Sequence, residues 1–191
     1  MTVEPHTKSD EDLMLEVKNG NLVAFDTLIL KHQKPLVNYF YRHTGNSEEA
    51  NDLTQETFLR IHKSSPRYKN TAKFTTWIYH IARNIYLDYA KYKKRHPSTS
   101  LDAEPYEKTE KFADKSISIE DKLTKDDLAN KVKEAVSKLP EIYREVIILC
   151  EYQGLKSKEI SKIIHCPEGT VWSRLHKAYE LLGISLKNIA G

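Results

Sequence analysis

The sequence predicts an all-α protein built as two small helical domains joined by a flexible acidic linker, with a helix-turn-helix ending the second domain. Apolar residues recur at helical spacing along most of the 191-residue chain, and no segment sustains the alternation of a strand. One stretch breaks this pattern, because it is polar, acidic and holds two prolines. We therefore expect a first domain over 1–96, a linker over 97–118 and a second domain over 119–191.

Four helices are expected in the first domain. Their expected bounds are 13–20, 24–42, 47–63 and 73–95. Asn46 or Ser47 caps the third helix, and Glu48 lies near the positive end of its dipole. The residues expected to face the core are Ala50, Leu53, Thr57, Phe58 and Ile61 in the third helix, and Phe74, Trp77, Ile78, Ile81, Ile85, Tyr89 and Tyr92 in the fourth.

The second domain is also expected to hold four helices. Pro140 suits the first turn of the second of them, which stops at Gly154. Ser157 caps a short third helix, and the fourth runs from about Glu168 to Gly183. The apolar stripes expected to face the core include Leu128, Val132, Val136, Leu139, Ile142, Val146, Ile147, Ile160, Ile163, Val171, Leu175, Ala178 and Leu182.

The last two helices carry the most specific local signal. A short capped helix, a tight break at Cys166-Pro167 and an amphipathic helix with a polar and basic outer face are typical of a helix-turn-helix. In that motif the second helix enters the major groove, where arginine bonds guanine and other polar residues bind bases or the backbone. A helical hairpin whose outer residues only face water would show the same pattern. The expected DNA contacts are Thr170, Trp172, Ser173, Arg174, His176 and Lys177.

The net charge of +3 conceals strong differences between segments. Residues 66–95 carry eight basic residues against Asp88 alone, a net charge of +7, together with seven aromatic residues. Cations that meet phosphates and rings that stack on bases are the composition of nucleic-acid grooves. A solvated helix face over a buried aromatic stripe is the alternative interpretation.

Six short segments of sequence, spread over both expected domains, form a recognisable set. The first domain holds Asn51-Asp52-Leu53-Thr54-Gln55-Glu56-Thr57-Phe58 and Phe74-Thr75-Thr76-Trp77-Ile78-Tyr79-His80-Ile81-Ala82-Arg83-Asn84. The second holds Leu139-Pro140-Glu141, Gly154-Leu155, Glu159-Ile160 and the run from Cys166 to Ala178. In this order, the motifs resemble regions 2 and 4 of the extracytoplasmic-function sigma factors of bacteria.

The resemblance implies a protein that binds the RNA polymerase core and directs it to promoters. Region 2 would bind the clamp coiled coil of the β′ subunit and melt and read the −10 element. Region 4 would bind the β flap and read the −35 element as duplex. An anti-sigma protein is a further implied partner. The implied polymerase contacts are Asp52, Gln55, Glu56 and Leu59, which share one exposed helix face.

The loop between the third and fourth helices matches the family segment that captures a base flipped from the non-template strand. Extracting a base costs a few kcal/mol, which stacking and hydrogen bonds must offset. Tyr68 is expected to stack on the base, and Asn70 and Thr71 to bond its edge. Lys69 and Lys73 are expected to hold phosphates. The full set of expected −10 contacts is Tyr68, Lys69, Asn70, Thr71, Ala72, Lys73, Thr76, His80, Arg83 and Asn84.

Three positions depart from the family pattern. His165 stands where the turn usually has glycine, and histidine tolerates the left-handed conformation expected there. Ser161 replaces a typical alanine, and its hydroxyl is expected to bond the carbonyl of Ser157. Trp172 occupies an outward position that is often basic in the family, so the −35 specificity of relatives does not transfer to this chain.

Other classes of protein find little support in the sequence. The eight histidines are scattered and the six glycines form no phosphate cradle, so we expect no enzyme, no cofactor and no small-molecule substrate. Cys150 and Cys166 match no standard zinc module, and no metal site is expected. No apolar run could span a membrane, so a soluble, cytoplasmic protein is expected. A helix-turn-helix regulator that acts without polymerase, and a helical adaptor that binds only protein, remain alternatives.

Overall fold

The structure, a computed structural model, describes the backbone of residues 8–96 and 119–190 and the side chains of 8–96 and 128–187. Every regular element within those ranges is helical, so the predicted all-α class is confirmed. The chain divides into two compact units. The expected linker, 97–118, lies outside the described residues, and the domain boundaries stay predictions.

Unit 1 contains four α-helices and one short 3₁₀ turn. These elements are α1 Asp10–Lys18, α2 Leu22–Thr44, α3 Ser47–Ser64, the 3₁₀ turn Ser65–Arg67 and α4 Phe74–Arg95. Asn46 caps α3, as one of the two predicted candidates, because its side-chain oxygen accepts a hydrogen bond from the Glu49 N–H at 3.0 Å. Gly45 ends α2 in the left-handed conformation, with φ of 72°.

The predicted core is correct for α3, whereas on α4 only Phe74, Ile78 and Ile85 of the seven predicted positions are buried. All five core positions predicted on α3 are buried. On α4 the buried aromatic residues are Phe74, Tyr79 and Tyr86, whereas Trp77, Ile81 and Tyr89 are half-buried and Tyr92 is exposed. Aromatic rings cover more than half of the circumference of this helix, so contacts with the partner helix decide which side faces inward. On α2, the Tyr39 and His43 rings lie 5.4 Å from Tyr79 and 4.4 Å from Tyr86, respectively.

A buried histidine of unit 1 lies against a carboxylate. The Nε2 atom of His32 lies 2.8 Å from a carboxylate oxygen of Asp10, and the ring packs against Phe74. Burial lowers the pKa of His32 below its ordinary value of 6.5, more than the nearby Asp10 carboxylate raises it; Lys31 adds to the lowering and Glu11 opposes it. The native state therefore prefers the neutral ring, and the unfolded chain binds the proton more readily.

We expect the midpoint of thermal unfolding of unit 1 to fall as the pH drops below 6.5, until the native-state pKa of His32 is passed. His32→Gln should weaken this dependence, because glutamine does not titrate. Circular dichroism melts of both proteins between pH 8 and pH 5 measure the difference. Parallel pH profiles for the wild type and the variant would contradict the assignment to His32.

Unit 2 contains four α-helices and a π turn. These elements are α5 Ile119–Ser137, α6 Glu141–Ile147, the π turn Ile148–Tyr152, α7 Ser157–Ile164 and α8 Glu168–Ala190. The prediction that the last helix ends at Gly183 is wrong, since α8 continues through it. Gly183 lacks a positive φ and has open space around it, so nothing in its surroundings requires the helix to end. Leu128 and Ile142, predicted to face the core, are exposed.

The helix-turn-helix is present, with two differences in its hydrogen bonds. His165 ends α7 with φ of 53° and ψ of 49°, the predicted left-handed conformation. The Ser161 hydroxyl donates to the carbonyl of Cys166 at 2.7 Å and thereby ties α7 to the turn, rather than bonding back to Ser157. The predicted cap is also wrong, because Lys156 precedes α7 and its N–H donates to the Glu159 carboxylate at 2.8 Å. The Ser157 hydroxyl instead donates to the carboxylate of Glu168.

Candidate nucleic-acid and protein interfaces

Helix α8 presents a polar outer face, and its opposite side is packed into the core of unit 2. Val171, Leu175 and Ala178 are buried, as predicted, and fix the rotation of the helix. The outer face carries all six predicted −35 contacts: Thr170 and Arg174 are half-buried, and Trp172, Ser173, His176 and Lys177 are exposed. Trp172 has 61% of its surface exposed, which is unusual for its size and leaves a large ring open to contact.

The polar groups on this face differ in how far they are already engaged. Lys177 pairs with Glu180 at 3.0 Å, and the Ser173 hydroxyl donates to the carbonyl of Thr170 at 3.0 Å. Within the described part of the chain, no hydrogen bond or ion pair holds the guanidinium of Arg174. Arg174 therefore has all its donors available for a ligand.

The loop between the 3₁₀ turn and α4 exposes Lys69, Asn70, Thr71 and Lys73, whereas Ala72 is half-buried. One backbone hydrogen bond, from the N–H of Thr71 to the carbonyl of Lys69 at 2.8 Å, closes a tight turn at its tip. Exposed polar side chains at such a tip, here Lys69, Asn70 and Thr71, can approach a base edge and its phosphates.

The predicted stacking role of Tyr68 is wrong for this conformation of the protein. Its side chain is only 3% exposed, and its ring lies 5.0 Å from that of Trp77. Burial, with smaller effects of the Glu11 and Asp10 charges, raises the pKa of the phenol. Tyr68 follows a 3₁₀ turn that aims its ring inward, and a residue in a loop carries no periodic signal from which this could be read.

The exposed side of α4 carries three of its four predicted −10 contacts. His80, Arg83 and Asn84 are half-buried and lie within about one turn of one another. Among the described residues, the side chain of Asn84 has no hydrogen-bond partner. Thr76 is buried, so this conformation does not present it for the predicted contact with DNA; it lies on a side of α4 that packs toward the core.

An apolar groove lies between α2 and α3, next to the predicted polymerase-binding residues. The cavity has a volume of about 370 Å³. Leu59 and Gln55 line it, and Leu59 keeps 54% of its surface exposed. Asp52 is exposed beside them, while Glu56 pairs with Arg60 at 2.7 Å. The residues that line the groove are Phe25, Ile29, Gln33, Asn51, Thr54, Gln55, Phe58, Leu59 and His62.

Sequence reasoning missed an exposed ring pair at the end of α4. Tyr92, predicted to face the core, is 61% exposed and stacks on His96 with the ring centroids 4.5 Å apart. The exposed Lys94 and Arg95 lie beside it. The density of lysine and arginine around Tyr92 was the available signal, since a core position is rarely flanked by so many charges.

Models of two protein regions match the chain. Sigma-70 region 2 matches residues 28–96, and Sigma-70 region 4 matches residues 129–182. The RNA polymerase sigma-H factor of Pseudomonas aeruginosa is 30% identical over 184 residues, which are 94% of this chain and 95% of that protein. The ECF RNA polymerase sigma factor SigW of Bacillus subtilis is 33% identical, over 91% of this chain and 95% of that protein. The chain belongs to the ECF family of RNA polymerase sigma factors.

Solved structures share the fold of this sigma factor. A structure of CnrH in complex with the cytosolic domain of CnrY covers 95% of this chain and 99% of that chain, with a TM-score of 0.70 at 20% identity. The sigma factor RpoE of Bartonella quintana, solved in complex with the anti-sigma factor NepR, covers 85% of this chain and 96% of that chain, with a TM-score of 0.63 at 22% identity. The family resemblance drawn from the motifs is confirmed.

The matched regions hold all three groups of predicted contacts. Region 2 contains the predicted polymerase and −10 contacts, and region 4 contains the predicted −35 contacts. Because both sigma-factor regions match, the two alternative interpretations find no support: a helix-turn-helix regulator that acts without polymerase, and an adaptor that binds only protein. No cluster of three metal-ligating side chains occurs among the described residues, and none of the helices described is long and apolar enough to cross a bilayer.

Proposed function

We propose that this sigma factor binds the RNA polymerase core and directs it to promoters, with unit 2 reading the −35 element as duplex and unit 1 melting and reading the −10 element. One observation carries the proposal: both regions occur in a single chain, and each presents polar side chains on its surface. The chemistry of transcription belongs to the polymerase, so we assign this chain no catalytic residue and no cofactor.

The −35 element is read from the outer face of α8. Arg174 is suited to bond guanine through two parallel hydrogen bonds, and Ser173 and Thr170 to bond a base or a phosphate. Lys177 and His176 lie where they can contact the backbone. Trp172 offers an apolar surface for a thymine methyl group or a sugar, and this feature gives the chain its own −35 preference.

The −10 element is read by the loop and the exposed side of α4. Asn70 and Thr71 bond the edge of a base flipped from the non-template strand, while Lys69 and Lys73 hold its phosphates. Because Tyr68 is buried, hydrogen bonds carry this capture in place of the stacking expected from the sequence. His80, Arg83 and Asn84 contact the adjacent bases and backbone.

The polymerase core is bound through the α3 face and through unit 2. The clamp coiled coil of β′ docks on Asp52, Gln55, Glu56 and Leu59, and the exposed groove beside Leu59 supplies apolar area for that contact. The β flap binds unit 2. We further propose an anti-sigma partner and a place in the cytoplasm, where the polymerase works. Both proposals rest on membership of the family.

The decisive experiment is transcription by core polymerase that carries this chain. We expect initiation at a subset of genomic promoter fragments that share one −35 and one −10 sequence. If the chain neither joins the core nor starts transcription on any fragment of the library, the proposal fails.

Asn84→Ala should separate reading of the −10 element from assembly with polymerase. We expect about a tenfold lower rate of open-complex formation with core binding unchanged, because one base contact contributes about 1–3 kcal/mol. Permanganate footprinting reports the open complex, and gel filtration reports assembly with the core. Asn130→Ala, at an exposed position on α5, serves as the matched control. Equal rates for Asn84→Ala and Asn130→Ala would contradict the assignment.

A further inference from the structure

Helix α1 contacts both ends of the −10 loop, far from itself in sequence. The ammonium group of Lys18 donates to the carbonyl of Tyr68 at 2.9 Å. At the other end, a carboxylate oxygen of Glu11 accepts the N–H of Phe74 at 2.6 Å. Glu11 and Lys18 are seven residues apart, which is two helical turns, so they lie on one side of α1. The loop is thereby held at the residues that precede and follow it.

Glu11 performs the task of a cap for α4. Lys73 occupies the N-cap position of that helix but makes no side-chain hydrogen bond there. The first N–H groups of a helix lack internal partners, and an anionic side chain at that end also interacts favourably with the helix dipole. A residue 63 positions away in the sequence therefore supplies the cap that the local sequence lacks.

Helix α1 is itself firmly placed. It buries Leu13, Met14 and Val17 in unit 1. Its first residue, Asp10, lies 2.8 Å from the ring nitrogen of His32, and that ring packs against Phe74. The anchors are thus attached to a packed element rather than to a mobile arm.

The loop between the anchors has little structure of its own. Lys69, Asn70 and Thr71 are exposed, and a single backbone hydrogen bond closes their turn. The direction in which Asn70 and Thr71 point is consequently set by the positions of Tyr68 and Phe74. A side chain that fixes either position also fixes the geometry presented to a base.

We infer that Glu11 and Lys18 are positioning residues that pre-organise the loop for the captured −10 base. This inference rests on the proposed function of the loop. Holding the loop in one conformation before binding reduces the ordering cost that the base contacts must offset. Both residues lie outside the matched region 2, which begins at residue 28.

The test compares the rate of open-complex formation on a promoter with its preferred −10 base and on one with that base replaced. We expect Glu11→Ala and Lys18→Met each to reduce this discrimination by about tenfold, since each removes a hydrogen bond to a charged group. Glu11→Gln and Lys18→Arg should restore most of it, because the amide oxygen still accepts and the guanidinium still donates. Binding to core polymerase and dependence on the −35 element should remain unchanged.

Glu16→Ala is the matched control, because Glu16 also lies on α1 but bonds Asn21 instead of the loop. Unchanged discrimination in Glu11→Ala and Lys18→Met overturns the inference, and so does an equal loss in Glu16→Ala. Asn70→Ala and Thr71→Ala distinguish failure of this inference from failure of the proposed function of the loop. If they alter discrimination while the anchor variants do not, only the inference fails; if none of the four does, the role of the loop fails as well. Glu11→Gln and Lys18→Arg keep the test valid should the alanine or methionine variant fold poorly.

Discussion

Arg174→Ala is expected to lower the affinity of the holoenzyme for its preferred −35 duplex by about 10- to 100-fold. A bidentate pair between arginine and guanine contributes about 1–3 kcal/mol of discrimination. No described residue holds the guanidinium of Arg174, so binding DNA breaks no internal ion pair. Buried Val171 and Leu175 keep the helix in place when the arginine is removed. Competition binding against duplexes with single −35 substitutions measures the change and identifies the base pair concerned.

The control for this prediction is Lys177→Ala on the same face. A lysine that contacts phosphate contributes to all sequences alike, so its loss should weaken binding uniformly and reduce the salt dependence by about one ion. Arg174→Ala should instead relax specificity at one position. If Arg174→Ala binds all duplexes with the same relative affinities as the wild type, direct readout by this side chain is excluded.

Local signals in the sequence predicted the elements well. The Asn46 cap, the left-handed His165 and the buried stripe of α3 depend on residues within a turn or two of one another, and each is found in the structure. The outer face of α8 was predictable for the same reason. Three buried positions at helical spacing fix which side of a helix faces away from the core.

The inner face of α4 could not be predicted from the same kind of signal. Aromatic residues cover more than half of the circumference of this helix, so the apolar period favours several rotations. The rotation adopted is the one in which Tyr79 and Tyr86 meet rings of α2. That choice buries Thr76, and it depends on contacts between residues 40 or more positions apart.

The two residues that hold the ends of the −10 loop, Glu11 and Lys18, could not be predicted from the sequence for a related reason. Nothing near Glu11 marks it as a cap for a helix that begins at Phe74, and an exposed lysine such as Lys18 resembles any other. The hydrogen-bond partners of the serine hydroxyls in the helix-turn-helix could not be predicted for the same reason. Ser161 had both a local and a more distant acceptor in reach, and the folded turn selected the carbonyl of Cys166.

Leu59→Asp should reduce binding of the sigma factor to core polymerase by 100-fold or more. Leu59 is a half-exposed aliphatic residue on the rim of an apolar groove, the setting of an interface hot spot, and hot spots contribute about 2 kcal/mol or more. Aspartate removes that apolar contact and adds a charge that docking would bury without a partner. Glu56→Ala should have a smaller effect, because the Glu56 carboxylate is already shared with Arg60 and lies at the exposed edge of the face.

The same substitution at Leu30 controls for a general effect of a new carboxylate on an exposed leucine. Leu30 is 79% exposed on α2 and belongs to no predicted contact. Leu30→Asp should therefore bind the core normally, and both variants should melt near the temperature of the wild type, since neither leucine is part of the buried core. Fluorescence anisotropy with labelled sigma factor gives the affinity for core directly. Equal affinities for Leu59→Asp and Leu30→Asp would move the polymerase contact away from the groove, because a docked partner helix could not cover Leu59 without excluding water from the new charge.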